Sequence, residues 1–171
     1  FDAAGAIRWS VPATGPTIFP TCAPMVDADG NVYTASYGTA VSADPTGATR
    51  WTSTMVGANS GDLALGTDGS ILVPNYSTGY ATDPIVALDP ATGAVRWKTP
   101  LGGNLQTSPI VDASGWIYYV ADGGTLYALD GAGNMQWSLV LPTGITGSPV
   151  LGANQTLYLA GTDAKLYAVG P

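Results

Sequence analysis

The sequence has no histidine and no glutamate, a single cysteine, and only five lysine or arginine residues among 171. Without histidine, the usual general base near neutral pH, the Ser-His and Cys-His nucleophile systems and the commonest transition-metal ligand are all missing. The lone cysteine, Cys22, cannot form an intrachain disulfide and reads as a small buried apolar residue. Scarce basic residues and a net charge of -7 remove long-range attraction to phosphate backbones and anionic lipid, so nucleic acid is not an expected partner. No run approaches the roughly 18 apolar residues of a spanning helix, and no basic segment followed by an apolar one opens the chain, so no membrane insertion is expected. All twelve acidic residues are aspartate, a residue that bonds its own backbone in turns; helices are expected to be scarce. The chain opens at Phe1 without an initiator methionine, which reads as a processed N-terminus. With little lysine and much Gly, Ala, Thr, Ser and Tyr, this points to an extracellular or periplasmic location.

What the sequence does have is a repeat. "FDAAGAIRW", "ADPTGATRW", "LDPATGAVRW" and "LDGAGNMQW" place an aspartate, a turn and a tryptophan at nearly fixed spacing. Asp2, Asp44, Asp89 and Asp130 are separated by 42, 45 and 41 residues, and Trp9, Trp51, Trp97 and Trp137 by 42, 46 and 40. Upstream of the later motifs runs a second shared pattern, clearest in "SPIVDASGWIYYVADGGTLYALD". It predicts strands over 108–111, 116–121 and 125–129, separated by Asp/Gly turns, with a fourth strand over 134–139 that carries Trp137. The predicted fold is all-β: a β-propeller of four four-stranded antiparallel blades per chain, forming one repeat domain over 1–171. Because residues 6–10 supply only a fourth strand and the C-terminal repeat supplies only three, the N-terminal strand is expected to complete the last blade. Gly170 falls at the aspartate position of that repeat, and 170 minus 2 is 168, four times 42.

"ALDPATGAVRW" and "SADPTGATRW" closely resemble the tryptophan-docking motif of the quinoprotein-like, or PQQ-like, β-propeller repeats, a likeness that extends over essentially the whole chain. The resemblance implies that Trp9, Trp51, Trp97 and Trp137 pack between adjacent blades. Trp116, on a second strand, is not part of that set. The resemblance also implies rings of about seven or eight blades, too shallowly wedged for a ring of four. The expected partner is therefore the chain itself, as a strand-exchanged dimer or a head-to-tail filament. Catalytic quinoproteins of this kind are much longer, hold the quinone with calcium and often stack it on a disulfide of neighbouring cysteines. With one cysteine and four repeats, no cofactor, no metal and no catalytic residue is expected, and the chain is not read as an enzyme.

Arg8, Arg50 and Arg96 precede docking tryptophans and read, by strand alternation, as solvated side chains turned away from the tryptophan face. "DADGN" at 27–31 has the opening of a calcium loop without its closing Glu, and reads as a plain turn. The second repeat carries about five extra residues in "NYSTGYATD", and a long connection, "VPATGPTIFPT", joins the first strand to the next. Both fall on one face of a propeller, which makes Phe19, Tyr76, Tyr80 and Asp83 candidate contacts for a protein or glycan partner. The expected function is a non-catalytic binding or scaffolding module. The alternatives are a self-assembling subunit of an extracellular fibre or sheath and a fragment of a quinoprotein-type enzyme.

Overall fold

The structure, a computed structural model, describes residues 5–11, 22–36, 38–54, 58–59, 61–76, 82–103, 107–121 and 123–170. Its regular elements are strands, grouped into four antiparallel sheets that follow one another along the chain. The first holds β1 (Met25–Val26), β2 (Val32–Ser36), β3 (Thr39–Ala43) and β4 (Thr49–Thr54), in that order. In the second, β5 (Ala58–Asn59) and β6 (Ala64–Leu65) both pair with β7 (Ile71–Tyr76), which continues to β8 (Thr82–Leu88) and β9 (Val95–Gly102). The third repeats the first with β10 (Ile110–Val111), β11 (Ile117–Val120), β12 (Thr125–Leu129) and β13 (Met135–Val140). The fourth has three strands, β14 (Val150–Leu151), β15 (Leu157–Ala160) and β16 (Leu166–Val169).

The aspartates make the turns, as their absence from helical patterns predicts. Asp112 Oδ1 accepts from the amides of Ser114 and Trp116 at 2.8 and 2.9 Å, and Asp130 Oδ1 from those of Ala132 and Asn134 at 3.0 and 2.9 Å. Each carboxylate thus replaces the missing ladder partner of a tight corner. In the "DADGN" segment Asp27 Oδ1 takes the amides of Asp29 and Asn31, while Oδ2 takes the Asn31 side chain and the Tyr33 hydroxyl at 2.9 and 2.7 Å. Both oxygens are engaged in turn-making. Cys22 is 6% exposed, and its thiol donates to the carbonyl of Ala35 at 3.0 Å.

Strand alternation builds three cores between successive sheets. In β7, Ile71 and Val73 face the first sheet, where they meet Tyr33, Ala35 and Trp51, while Leu72 faces the third and meets Ile117, Tyr119 and Leu129. A strand covered on both faces needs no polar side, so "ILV" is fully buried throughout. Val120 and Leu126 then meet Leu157 and Leu159 of the fourth sheet. Each fully buried Leu or Ile contributes about 1.5–3 kcal/mol. Short polar bridges reinforce the succession: the amide of Asp62 donates to Ser108 Oγ, and that of Ser108 to Ser148 Oγ, both at 2.9 Å.

On the far side of the fourth sheet Val150, Tyr158 and Leu166 are 62, 37 and 72% exposed, although the matching side of the third sheet is covered. Residues 6–10, expected as the last strand of the fourth sheet, form no strand. They lie instead beside the first sheet, where Trp9 Nε1 donates to the carbonyl of Pro45 at 3.1 Å. The expected insertion in the second repeat is partly sheet: Tyr76 pairs with Ala58 of β5 and Asp83 with Leu101 of β9, beyond the pairs that join β7 to β8.

Candidate functional site

One contact recurs at the sheet junctions. Each tryptophan stacks on the turn after the third strand of the next sheet, at a glycine with positive φ: Trp9 on Gly47 (89°), Trp51 on Gly93 (72°) and Trp97 on Gly133 (84°). A Cβ at any of these glycines would come under 3.0 Å from the indole, so only glycine admits the ring, and only glycine adopts that φ without cost. Trp51 Nε1 also donates to the Pro90 carbonyl at 2.9 Å, and the Thr99 hydroxyl donates to the Gly133 carbonyl.

A second half of the contact lies within the sheet. Trp51, Trp97 and Trp137 sit opposite Ser42, Ala87 and Ala128 of the neighbouring third strand, each beside a register shift one residue on. The position across from the tryptophan is therefore small in every case. Where both halves are present, as for Trp51, the indole is 8% exposed. Trp9 has its glycine but, among the described residues, no strand beside it, and is 37% exposed. Trp137 has its strand but no glycine among the described residues, and is also 37% exposed.

Trp137 instead faces a cavity of about 420 Å³, lined by Trp116, Tyr118, Gln155, Leu157, Val169 and Gly170. Trp116 stacks on Tyr118 with ring centroids 6.5 Å apart, and Tyr118 meets Trp137 at 6.2 Å with planes tilted by 48°. The Tyr118 hydroxyl donates to Asp112 Oδ2 at 3.2 Å. Burial first, and the Asp112 carboxylate second, raise its pKa, so the ring is a neutral donor and not a proton carrier at neutral pH. The site offers aromatic faces and backbone, with no nucleophile beside a base, and among the described residues no group of three carboxylate or thiol side chains converges.

The four tryptophans named from the sequence are thus placed at or beside sheet junctions. Of the candidate partner contacts, Phe19 and Tyr80 lie outside the described residues. Tyr76 and Asp83 lie on the paired strands of the β7–β8 hairpin. The arginines are exposed and turned from the indoles, as expected, and Arg50 and Arg96 also bond to the turns. Arg96 Nη1 contacts Asp68 Oδ2 and its Nη2 contacts Asp89 Oδ2, each at 2.9 Å, with a further bond to Ser70 Oγ at 2.8 Å. Arg50 Nη1 donates to Tyr33, Ser42 and Pro90. Alternation does turn them from the indole, but a guanidinium is long enough to return to the turns and clamp them. Sequence reading also missed Trp116 and Tyr118 as parts of one aromatic ladder. Their spacing of two along an alternating strand was the available signal.

A family model described as outer membrane protein assembly factor BamB matches residues 36–171. No curated protein matches the chain. Among solved structures, BamB from Moraxella catarrhalis superposes with a TM-score of 0.71 at 19% identity, over 90% of this chain and 45% of that one. The C-terminal WD40 domain of Sif2 gives 0.68 at 14% identity, over 88% and 43%. A europium-containing methanol dehydrogenase gives 0.61 at 15% identity, over 77% and 36%. These likenesses show a β-propeller fold, and the chain spans less than half the length of each of the three.

Proposed function

The chain belongs to the PQQ-like β-propeller repeat family whose model is described as BamB, and from that premise we propose that it is a non-catalytic binding or scaffolding module that associates with further copies of itself. The observation that carries the reading is the exposure of Trp9 and Trp137, each 37% exposed where Trp51 is 8% exposed. The exposed far side of the fourth sheet, with Leu166 and Val150, is apolar surface of the kind buried at every other junction. Covering it with a second copy gives a closed ring if the rotation closes and an open fibre if it does not.

The residues do not fit a quinone with calcium. The one cysteine is buried with its thiol on Ala35, and the carboxylates of Asp27, Asp44, Asp89 and Asp130 accept the amides of their own turns. The fold shared with methanol dehydrogenase therefore carries no step to this chain. We place the module in the periplasm or outside the cell, in keeping with the assembly factor that the family model describes and with the low lysine content. Phe19, Tyr76, Tyr80 and Asp83 are the proposed contacts for a protein or glycan partner.

Native mass spectrometry tests the reading. A small closed oligomer, with no quinone absorbance retained after adding quinone and calcium, is the expected result. A monomer at all concentrations removes self-association, and stoichiometric retention of quinone returns the chain to the enzymes.

A further inference from the structure

A row of three side chains crosses the first three sheets from the second strand to the fourth. In the first sheet it runs Tyr33, Ser42, Trp51, and in the third Tyr118, Ala128, Trp137. In both, the phenol ring lies beside the indole, with centroids 5.9 and 6.2 Å apart and planes tilted by 42 and 48°. Its hydroxyl donates to the carboxylate that opens the turn between the first two strands, Asp27 or Asp112. The second sheet keeps the row and drops the ring: Leu72, Ala87 and Trp97 pair in the same register. It drops the acceptor as well. Gly66 exchanges backbone bonds with Ser70 and Gly69 as Asp27 does with Asn31 and Gly30, so a glycine stands where the other two sheets have the carboxylate.

A third replacement falls at the same junction. The turn that receives Trp51 carries Pro90 after its aspartate, and Trp51 Nε1 donates to the Pro90 carbonyl at 2.9 Å; Trp9 and Pro45 are arranged alike, at 3.1 Å. The turn that receives Trp97 has Gly131 in that place, and among the described residues no hydrogen bond joins the Trp97 indole to it. Gly66, Leu72 and Gly131 all line one cavity of about 330 Å³ between the second and third sheets, together with Trp97, Ile117 and Asp68. That volume lies at the small end of the range for ligand pockets. A close-packed junction that loses a phenol, a carboxylate and a pyrrolidine ring keeps a hole of their shape when its backbone stays in register.

From these three replacements we infer that the cavity binds a small molecule with a single phenol-sized aromatic ring and a hydroxyl group. The ring lies tilted beside Trp97, as Tyr33 lies beside Trp51, with Leu72 and Ile117 as its apolar walls. In the first sheet the phenol oxygen meets a carboxylate and a guanidinium together, since Tyr33 donates to Asp27 and accepts from Arg50 Nη1 at 3.1 Å. The second sheet holds the same two groups without the phenol: Arg96 Nη1 bonds to Asp68 Oδ2 and Ser70 Oγ. Asp68 Oδ1 accepts the Ser70 amide at 3.0 Å and has capacity for a second donor, which the ligand hydroxyl supplies. The indole N–H of Trp97 is a further donor for the ligand oxygen. The inference goes beyond the self-association reading and is independent of it, because the residues named belong to one junction within the chain.

The test titrates the whole chain with 4-methylphenol and follows the indole N–H resonances by NMR. A saturable shift of the Trp97 resonance is expected, with a Kd on the order of 1 mM for so small a ligand. Leu72→Tyr restores the ring that the first and third sheets carry, and Gly131→Pro restores the proline of the first and second; each is expected to weaken binding by at least about tenfold with the circular dichroism unchanged. The two lie on different elements, so either one suffices if the other disturbs folding. Cyclohexanol, of similar size but without an aromatic face, should bind more weakly. Absence of a saturable Trp97 shift up to about 20 mM overturns the inference, as does binding that survives both substitutions or shifts the Trp137 resonance alone. Binding of N-acetyltyrosinamide without binding of 4-methylphenol also overturns it, because the ring then comes from a partner polypeptide and not from a free ligand.

Discussion

Replacing Trp51 by alanine should cost far more than replacing Trp137, although both occupy the same place in the repeat. Trp51 is 8% exposed: it is stacked on Gly93, tilted against Tyr33 at 5.9 Å and bonded through Nε1 to the Pro90 carbonyl. Truncating a buried aromatic typically costs about 3–5 kcal/mol. The Pro90 carbonyl keeps its bond from Arg50 at 3.1 Å, so no buried acceptor is orphaned and the loss should stay near about 3–4 kcal/mol. Trp137 has one face open to the cavity, is 37% exposed, and should cost about 1–2 kcal/mol in the single chain. Urea unfolding is followed by circular dichroism, which does not depend on the indole removed. Midpoints that fall equally would refute the account of the junction, since the two sites differ chiefly in the glycine turn. A large loss for Trp137 and a small one for Trp51 would refute the assignment of which junctions are complete.

Gly93→Ala should destabilise more than Gly5→Ala. Both require a positive φ, but only at Gly93 would the new Cβ come under 3.0 Å from an indole; thermal unfolding gives the comparison, and equal shifts would contradict the stacking. Stability should be flat between about pH 5 and 8, because no histidine titrates there, and should fall in acid. The carboxyls of Asp89, Asp44 and Asp130 are held below their ordinary values by hydrogen bonds, chiefly from Arg96, Thr46 and Asn134 respectively. Depressed folded-state values give stability that is fully present above about pH 4 and is lost as pH falls through them; rising stability below pH 4 would contradict this. Arg96→Gln should raise the Asp89 pKa read by carboxyl carbon NMR, and an unchanged value would remove the clamp between Arg96 and that turn.

The architecture was legible because its determinants are local and repeated. Strand 125–129 is found at the predicted residues, since "TLYAL" alternates between two covered faces and is bounded by Gly124 and Asp130, which turn the chain. The first strands are shorter than expected, two residues in place of four in the third repeat, because Ser108 spends its amide on Ser148 of the next sheet and not on a ladder. What sequence periodicity does not carry is reach. Arg50 and Arg96 alternate away from the indoles as expected, yet their length brings the guanidinium back to the turns, where Pro90, Asp68 and Asp89 wait. The inserted segment of the second repeat was visible only as extra length. Whether extra length becomes loop or strand depends on partners such as Ala58 and Leu101, which lie in other parts of the chain.

The same chemical contact then has two consequences, depending on where in the succession it falls. At Gly47, Gly93 and Gly133 the glycine and its indole are already together, so a larger side chain there perturbs folding. At Gly5 a Cβ would meet nothing within 4 Å, so the same change there meets no indole and should shift the unfolding transition less.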